Sequence, residues 1–214
     1  MATSSLVAQS QPRTVQATGS ATVTANPDQA QIDVGVVTNG STAQDSAQQN
    51  ATMTTAVLTA IKAVLGSAGT VQTVNYSVNP RYSNTPGQNN VIIGYQTTNS
   101  VRVTTSDLSI IGKLIDAANQ AGANSVGNLS FGLQDSEPKI QQALAAATKQ
   151  AMTHAGAIAA GLGATLGPVV TAQQGSAYSP VLVSGTGAAG VATTPVQTGT
   201  VTVYASVTVT VSLQ

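Results

Sequence analysis

Thr200-Val201-Thr202-Val203-Tyr204-Ala205-Ser206-Val207-Thr208-Val209-Thr210-Val211-Ser212-Leu213 alternates without a break. Val201, Val203, Ala205, Val207, Val209, Val211 and Leu213 fall on one side. Thr200, Thr202, Tyr204, Ser206, Thr208, Thr210 and Ser212 fall on the other. A period of two is a strand with one buried face, and β-branched residues suit it. The same pattern occurs near the other end. Val15, Ala17, Gly19, Ala21, Val23 and Ala25 alternate with Gln16, Thr18, Ser20, Thr22 and Thr24. Asn26-Pro27-Asp28 is turn chemistry. A second strand at about 29–38 carries Ala30, Ile32, Val34 and Val36, and the two are expected to form a hairpin.

Between these ends, strand and helix periods interleave. Ser41-x-x-Gln44 fits a capping box. The helix behind it has Met53, Val57, Ala60, Ile61, Val64 and Leu65 at helical spacing, and Gly66 and Gly69 stop it. Val71–Arg81 and Val91–Thr105 read as a strand pair joined by a loop at 82–90, with Val74, Tyr76 and Val78 on one face. A second helix, capped by Ser106 or Asp107, turns Leu108, Ile111, Leu114, Ile115 and Ala118 inward. A short strand at about 126–133 follows. The third helix starts near Pro138. Its apolar stripe is expected to be Ile140, Leu144, Ala147, Ala151, Ile158 and Leu162. Val169–Ala172 reads as a further strand. The order ββ-α-ββ-α-β-α-β-β predicts an α+β fold, an antiparallel sheet with helices on one face. Residues 1–13 read as a flexible tail, 14–214 as one domain, and 174–198 as a long Gly/Ala/Pro-rich loop.

Composition excludes several functions. The 214 residues contain no cysteine and one histidine, His154, which removes thiolate and multi-histidine metal sites. Seven basic and seven acidic residues cancel, so there is no electrostatic drive toward nucleic acid. Only 7% of the chain is charged, against about 25% in ordinary soluble proteins. Polarity comes instead from 82 Ser, Thr, Asn and Gln residues, which suits an exported protein. The start, Met1-Ala2-Thr3-Ser4-Ser5, lacks a signal peptide's basic and apolar regions, so either a signal has been removed or the protein is cytosolic; removal is the expectation. No stretch reaches the ~18 apolar residues of a transmembrane helix.

Five segments in order resemble the SIMPL-domain family. Gly19-Ser20-Ala21-Thr22-Val23-Thr24-Ala25-Asn26-Pro27-Asp28-Gln29-Ala30 is similar to its opening Gly-x-Ala/Gly-x-Val-x-x-x-Pro-Asp-x-Ala. Val71–Tyr82, with Asn75-Tyr76 and Pro80-Arg81-Tyr82, is similar to its Thr-x-Asn-Tyr-x-x-x-Pro-x-Tyr. Gly94-Tyr95-Gln96-Thr97-Thr98-Asn99, then Ala121-Gly122-Ala123-Asn124 with Ser130-Phe131-Gly132-Leu133, and the terminal Val/Thr strand complete the set. Helix-surface charges and the loop before the last strand depart from the family pattern. The resemblance implies an exported α+β protein of the bacterial envelope, periplasmic or outer-membrane associated, and the expected location is periplasmic or secreted. It also implies a link to envelope and oxidative stress, with neither a catalytic set nor a cofactor. Self-association into rings or channel-like assemblies is a further implication.

Candidate chemistry is sparse. His154 has no recognisable nucleophile or orienting carboxylate, so it reads as a surface or capping residue. Asp28, Asp107 and Asp135 read as turn or cap residues. Gly185-x-Gly187-x-x-Gly190 spells a dinucleotide fingerprint but lacks a following helix and acid. The sequons at Asn39, Asn50, Asn75 and Asn128 are chance in a chain so rich in Ser and Thr. The Thr rows at 22–24, 200–202 and 208–210 suit a solvated face or a subunit interface better than an ice-binding array. Three amphipathic helices argue against a transmembrane barrel. Tyr76, Tyr82 and Tyr95 could form an interaction patch, with Tyr204 a further candidate, or could be cross-strand packing pairs. No catalytic, metal or cofactor site is expected. The leading expectation is a non-enzymatic envelope protein whose partner is itself, in a homo-oligomer. The alternative is a monomeric or dimeric module that binds another envelope protein or peptide.

Overall fold

The computed structural model describes residues 13–85, 91–175, 178–183 and 194–214. The strands are β1 (Thr14–Ala25), β2 (Gln29–Gly40), β3 (Gly69–Tyr82), β4 (Ile92–Thr105), β5 (Ser125–Gly132), β6 (Leu166–Gln174), β7 (Tyr178–Val183) and β8 (Thr200–Leu213). The helices are α1 (Ala43–Leu65), α2 (Ile111–Gln120) and α3 (Glu137–Gly161), with a 3-10 turn at Leu108–Ile110. The class is α+β. The described residues form two four-stranded sheets, and the chain divides into two compact units. The expected tail, the tip of the 82–90 loop and the Gly185–Gly190 motif lie outside the described residues. Inside the expected 174–198 loop, β7 pairs with β8.

The first unit holds β1, α3, β6 and most of β7 and β8. Its sheet runs β1-β8-β6. The Leu213 amide donates to the Arg13 carbonyl at 2.8 Å, and the Thr18 and Thr208 hydroxyls lie 2.9 Å apart. One number rises as the other falls, so β1 and β8 are antiparallel. The expected hairpin of the first two strands therefore does not form. β2 pairs instead with β4 and β5. The Asn26-Pro27-Asp28 turn is tied elsewhere: the Asp28 amide donates to the Gly132 carbonyl, and its carboxylate accepts from the Gln134 amide. Turn chemistry marks a bend; it does not name the strand's partner.

The valine face of β8 is buried as its alternation requires. On α3 the expected stripe holds at Ala147 and Ala151, with Leu144 packed beside them, but not at its end. Ala143, Ala147, Ala151, Ala155 and Ala159 are buried, while Ile158 and Leu162 are exposed, Leu162 by 66%. The reason is a close approach. A Cβ at Gly19 would overlap the Ala147 carbonyl oxygen and the Ala151 amide. At that separation only small side chains fit between helix and strand, and larger ones are displaced to the margins.

In the second unit the sheet runs β3-β4-β2-β5. Ile32, Val34 and Val36 of β2 and Val101 and Val103 of β4 meet Val57 and Ile61 of α1 and Ile111 and Leu114 of α2. The amino-terminal half of α1 buries polar residues instead: Ser46, Asn50 and Thr54. The Asn50 amide donates to the Val36 and Thr97 carbonyls at 2.8 and 3.2 Å. The Ser46 hydroxyl lies 2.8 Å from that of Thr97, and the Thr38 hydroxyl donates to the Ser46 carbonyl. The Thr54 hydroxyl donates to Asn50 Oδ1, so Ser46, Asn50 and Thr54 each keep a partner in place of water. The cap is Thr42, one residue past the expected Ser41, and its hydroxyl accepts from the Asp45 amide.

Gly19→Ala should lower the unfolding free energy by roughly 1–3 kcal/mol through overpacking against α3. Chemical denaturation followed by circular dichroism measures this. An unchanged midpoint would mean that the helix and strand can separate without loss.

Candidate functional site

Tyr76, Tyr82 and Tyr95 all come onto one hairpin. β3 pairs with β4, setting Tyr76 opposite Asn99, Pro80 opposite Tyr95 and Tyr82 opposite Ile92. A bulge between Thr73 and Asn75 lets Val71 and Tyr76, an odd and an even position, share a face. Their partners Val103 and Asn99 alternate regularly on β4, which also sets Tyr95 on that face. β2 ends with Gly40 opposite Tyr95. Beyond that point β3 and β4 continue alone as a two-stranded arm. Tyr76 is 56% exposed and Tyr82 50%, and Val91, Ile92 and Ile93 are exposed with them. Tyr204 lies in the other unit, on the hydroxyl face of β8, at 41% exposure.

A second feature of this unit was not expected from the sequence. Arg102 of β4 donates through Nε and Nη2 to both carboxylate oxygens of Asp33 on β2, at 2.7 and 2.8 Å. Asn128 of β5 donates to the same carboxylate at 3.0 Å, from a left-handed backbone with φ of 51°. Asp33, Gly35, Asn75, Ser100, Ser125 and Asn128 border a cavity of about 230 Å³. The signal for this cluster lay in the register of β2 on β4, where Asp33 faces Arg102. No local motif carries it. The hydrogen bonds from Arg102 hold the Asp33 carboxyl below the usual carboxylate range, helped by Asn128 and by the guanidinium charge, against a smaller effect of burial. The Ser109 hydroxyl and amide likewise hold Asp107 low, as a cap of the 3-10 turn.

His154 acts as a cap, the role its lack of partners suggested. Its Nδ1 lies 2.9 Å from the Thr18 carbonyl, and Gln150 Oε1 accepts from the Ser20 amide at 2.6 Å. Among the described residues no cluster of three or more metal-ligating side chains occurs. No described helix is long and apolar enough to cross a membrane.

These features define an α+β protein that presents sheet faces, sheet edges and a short hairpin end bearing Tyr82. The chain belongs to the SIMPL family, described as "Protein of unknown function (DUF541)", whose profile matches residues 15–211. It is similar to the 26 kDa periplasmic immunogenic proteins of Brucella melitensis biotype 1 and Brucella abortus strain S19. Each is 29% identical over 164 residues, covering 75% of this chain and 66% of the relative's own length.

Because the Asp33 pKa is lowered on folding, its ion pair stabilises the fold above the unfolded carboxylate pKa. That contribution is lost as pH falls through the lower, folded value. Arg102 is 43% exposed, so the effect should stay within about 1 kcal/mol. Asp33→Asn should flatten the acid limb of the stability–pH curve by that amount. Identical limbs for the two proteins would mean that the pair adds nothing.

Proposed function

We propose that the protein is an exported, non-enzymatic component of the bacterial envelope that self-assembles into a homo-oligomer, ring or channel-like in form. The carrying observation is the state of its sheet edges. β1 and β6 border one sheet, and neither contains a charged residue. Proteins that remain monomeric commonly guard such edges with lysine, proline or bulges. β6 has Pro168 and register shifts; β1 has no proline, and its edge is covered only at Thr18 and Ser20, by His154 and Gln150 of α3. The scarcity of charge also lowers the repulsion and desolvation that oppose association. Periplasmic location is supported by the names of the two relatives. An involvement in envelope stress goes with this reading.

Light scattering on a sizing column across a dilution series tests it. A discrete mass, a multiple of 21.2 kDa that persists on dilution, is the expected result. A mass of one chain at every concentration would overturn self-assembly. The exposed Tyr76 and Tyr82 favour a second reading, a monomeric or dimeric module that binds an envelope protein or peptide. For that reading, alanine at Tyr76, Tyr82 and Tyr95 together should abolish capture of a partner from envelope extract. Undiminished capture would remove it.

A further inference from the structure

β1 has one edge on β8, and among the described residues no strand pairs with its other, outer edge, called the free edge below. The bond between Leu213 and Arg13 sets the phase: odd-numbered residues of β1 turn their backbone groups toward β8, and even-numbered residues turn theirs to the free edge. Two of these free groups are covered from α3. His154 Nδ1–H donates to the Thr18 carbonyl, and Gln150 accepts from the Ser20 amide. The two side chains sit one helical turn apart and straddle Gly19.

Gly19 is also the centre of a chemical palindrome. Counting outward, Thr18 matches Ser20, Ala17 matches Ala21, Gln16 matches Thr22, Val15 matches Val23, and Thr14 matches Thr24. Antiparallel pairing of two copies of β1 about a twofold axis through Gly19 sets each residue opposite its match. Even-numbered residues then face even-numbered residues, and these carry the free amides and carbonyls. Valine meets valine and alanine meets alanine on the helix-covered face, while hydroxyl meets hydroxyl or amide on the other. No charge opposes another, because β1 has none.

We propose that the free edge of β1 is a self-pairing surface for a second copy of this chain, closed by Gln150 and His154 in the single copy. This deepens the self-assembly reading and rests on it for its setting. Opening the edge exchanges two side-chain bonds in each copy for up to about a dozen backbone bonds between copies. The palindrome fixes the register, which makes the contact isologous and its partner specific.

Cysteine cross-linking reads the register directly, because the chain has no cysteine of its own. Gln16→Cys and Thr22→Cys both lie on the exposed face of β1. In the proposed pair, residue 16 of one copy lies about 5.5 Å in Cα separation from residue 22 of the other. Residues 16 and 16 lie roughly 20 Å apart, six strand residues away. An equimolar mixture of the two variants should give a covalent dimer with a short thiol cross-linker, and each variant alone should give almost none. Adding Gln150→Ala and His154→Ala to both should raise the yield several-fold.

A cross-link in each variant alone, as strong as in the mixture, would overturn the register. No cross-link in either background would overturn the edge as a pairing surface. Equal yields in both backgrounds would overturn its closure by Gln150 and His154. The wild-type background reports the register even if the uncapped variant folds poorly. Large mass by light scattering without the 16–22 cross-link would sink this contact and leave self-assembly standing. A 21.2 kDa wild-type mass with cross-linking confined to the uncapped variant would do the reverse.

Discussion

The pairing of β1 with β8 is the constraint on which the first unit depends. It joins residues as far apart as Thr18 and Thr208, 190 positions in sequence. Closing such a loop costs about 4 kcal/mol more than closing a tight hairpin, at about 0.6 kcal/mol for each doubling of length. Burial along β8 offsets this. Val201, Val203, Val209 and Val211 are nearly inaccessible, and each contributes about 2 kcal/mol. α3 then needs β1 in place, because its alanine stripe matches only a strand with glycine at position 19. Non-local pairing of this kind is slow, so this sheet should be the last part of the molecule to form.

A chain with so few charges must satisfy its polar groups by other means. Short hydroxyl and amide side chains do this by turning back on the backbone. Thr52, Thr55 and Thr59 of α1 donate to carbonyls one turn earlier, as do Thr148 and Thr153 of α3. These bonds cost little side-chain entropy, because threonine has few rotamers to lose. The same economy operates in the segment 194–199 that leads into β8. Thr194 donates by hydroxyl and amide to Asp116 of α2, while Val196 packs on the core of the second unit. The Ser46–Asn50–Thr54 row is the buried form of this habit. It orients α1 on β2 and β4 by direction, where apolar packing would orient it only by shape.

Much of the fold was legible because its signals are local. The alternation of β1 and β8 and the inward rows of β2 and α2 depend on period alone. The strand partners did not follow, since Asn26-Pro27-Asp28 bends the chain without selecting β4 over β1. The α3 stripe was legible at Ala147 and Ala151 but not at Ile158 and Leu162, because size outranked hydrophobicity: only the nearness of Gly19 reveals why alanine goes inside and Ile158 outside. The half-polar face of α1 was hidden because Ser46 and Asn50 count as surface residues until carbonyls are found opposite them. Of the candidate site, the shared hairpin of Tyr76, Tyr82 and Tyr95 could be foreseen from the two strands that flank one turn. The Asp33–Arg102–Asn128 cluster could not, because it exists only in the register across three strands.

The arm formed by the ends of β3 and β4 has a mechanical meaning. β4 is an inner strand, bonded to β3 on one side and to β2 on the other, from Thr105 at Ala30 to Tyr95 at Gly40. A pull on the arm along its axis loads all the β2–β4 bonds at once, in shear. They cannot be opened one at a time, as they could if the force came across the strands. Load taken up at Tyr82 and Ile92 is therefore carried into the strand that holds Val101 and Val103 in the core. The same arm pushed sideways is only a two-stranded ribbon and yields easily. Along its axis the arm is backed by the whole β2–β4 ladder; across it, by the β3–β4 pairs alone.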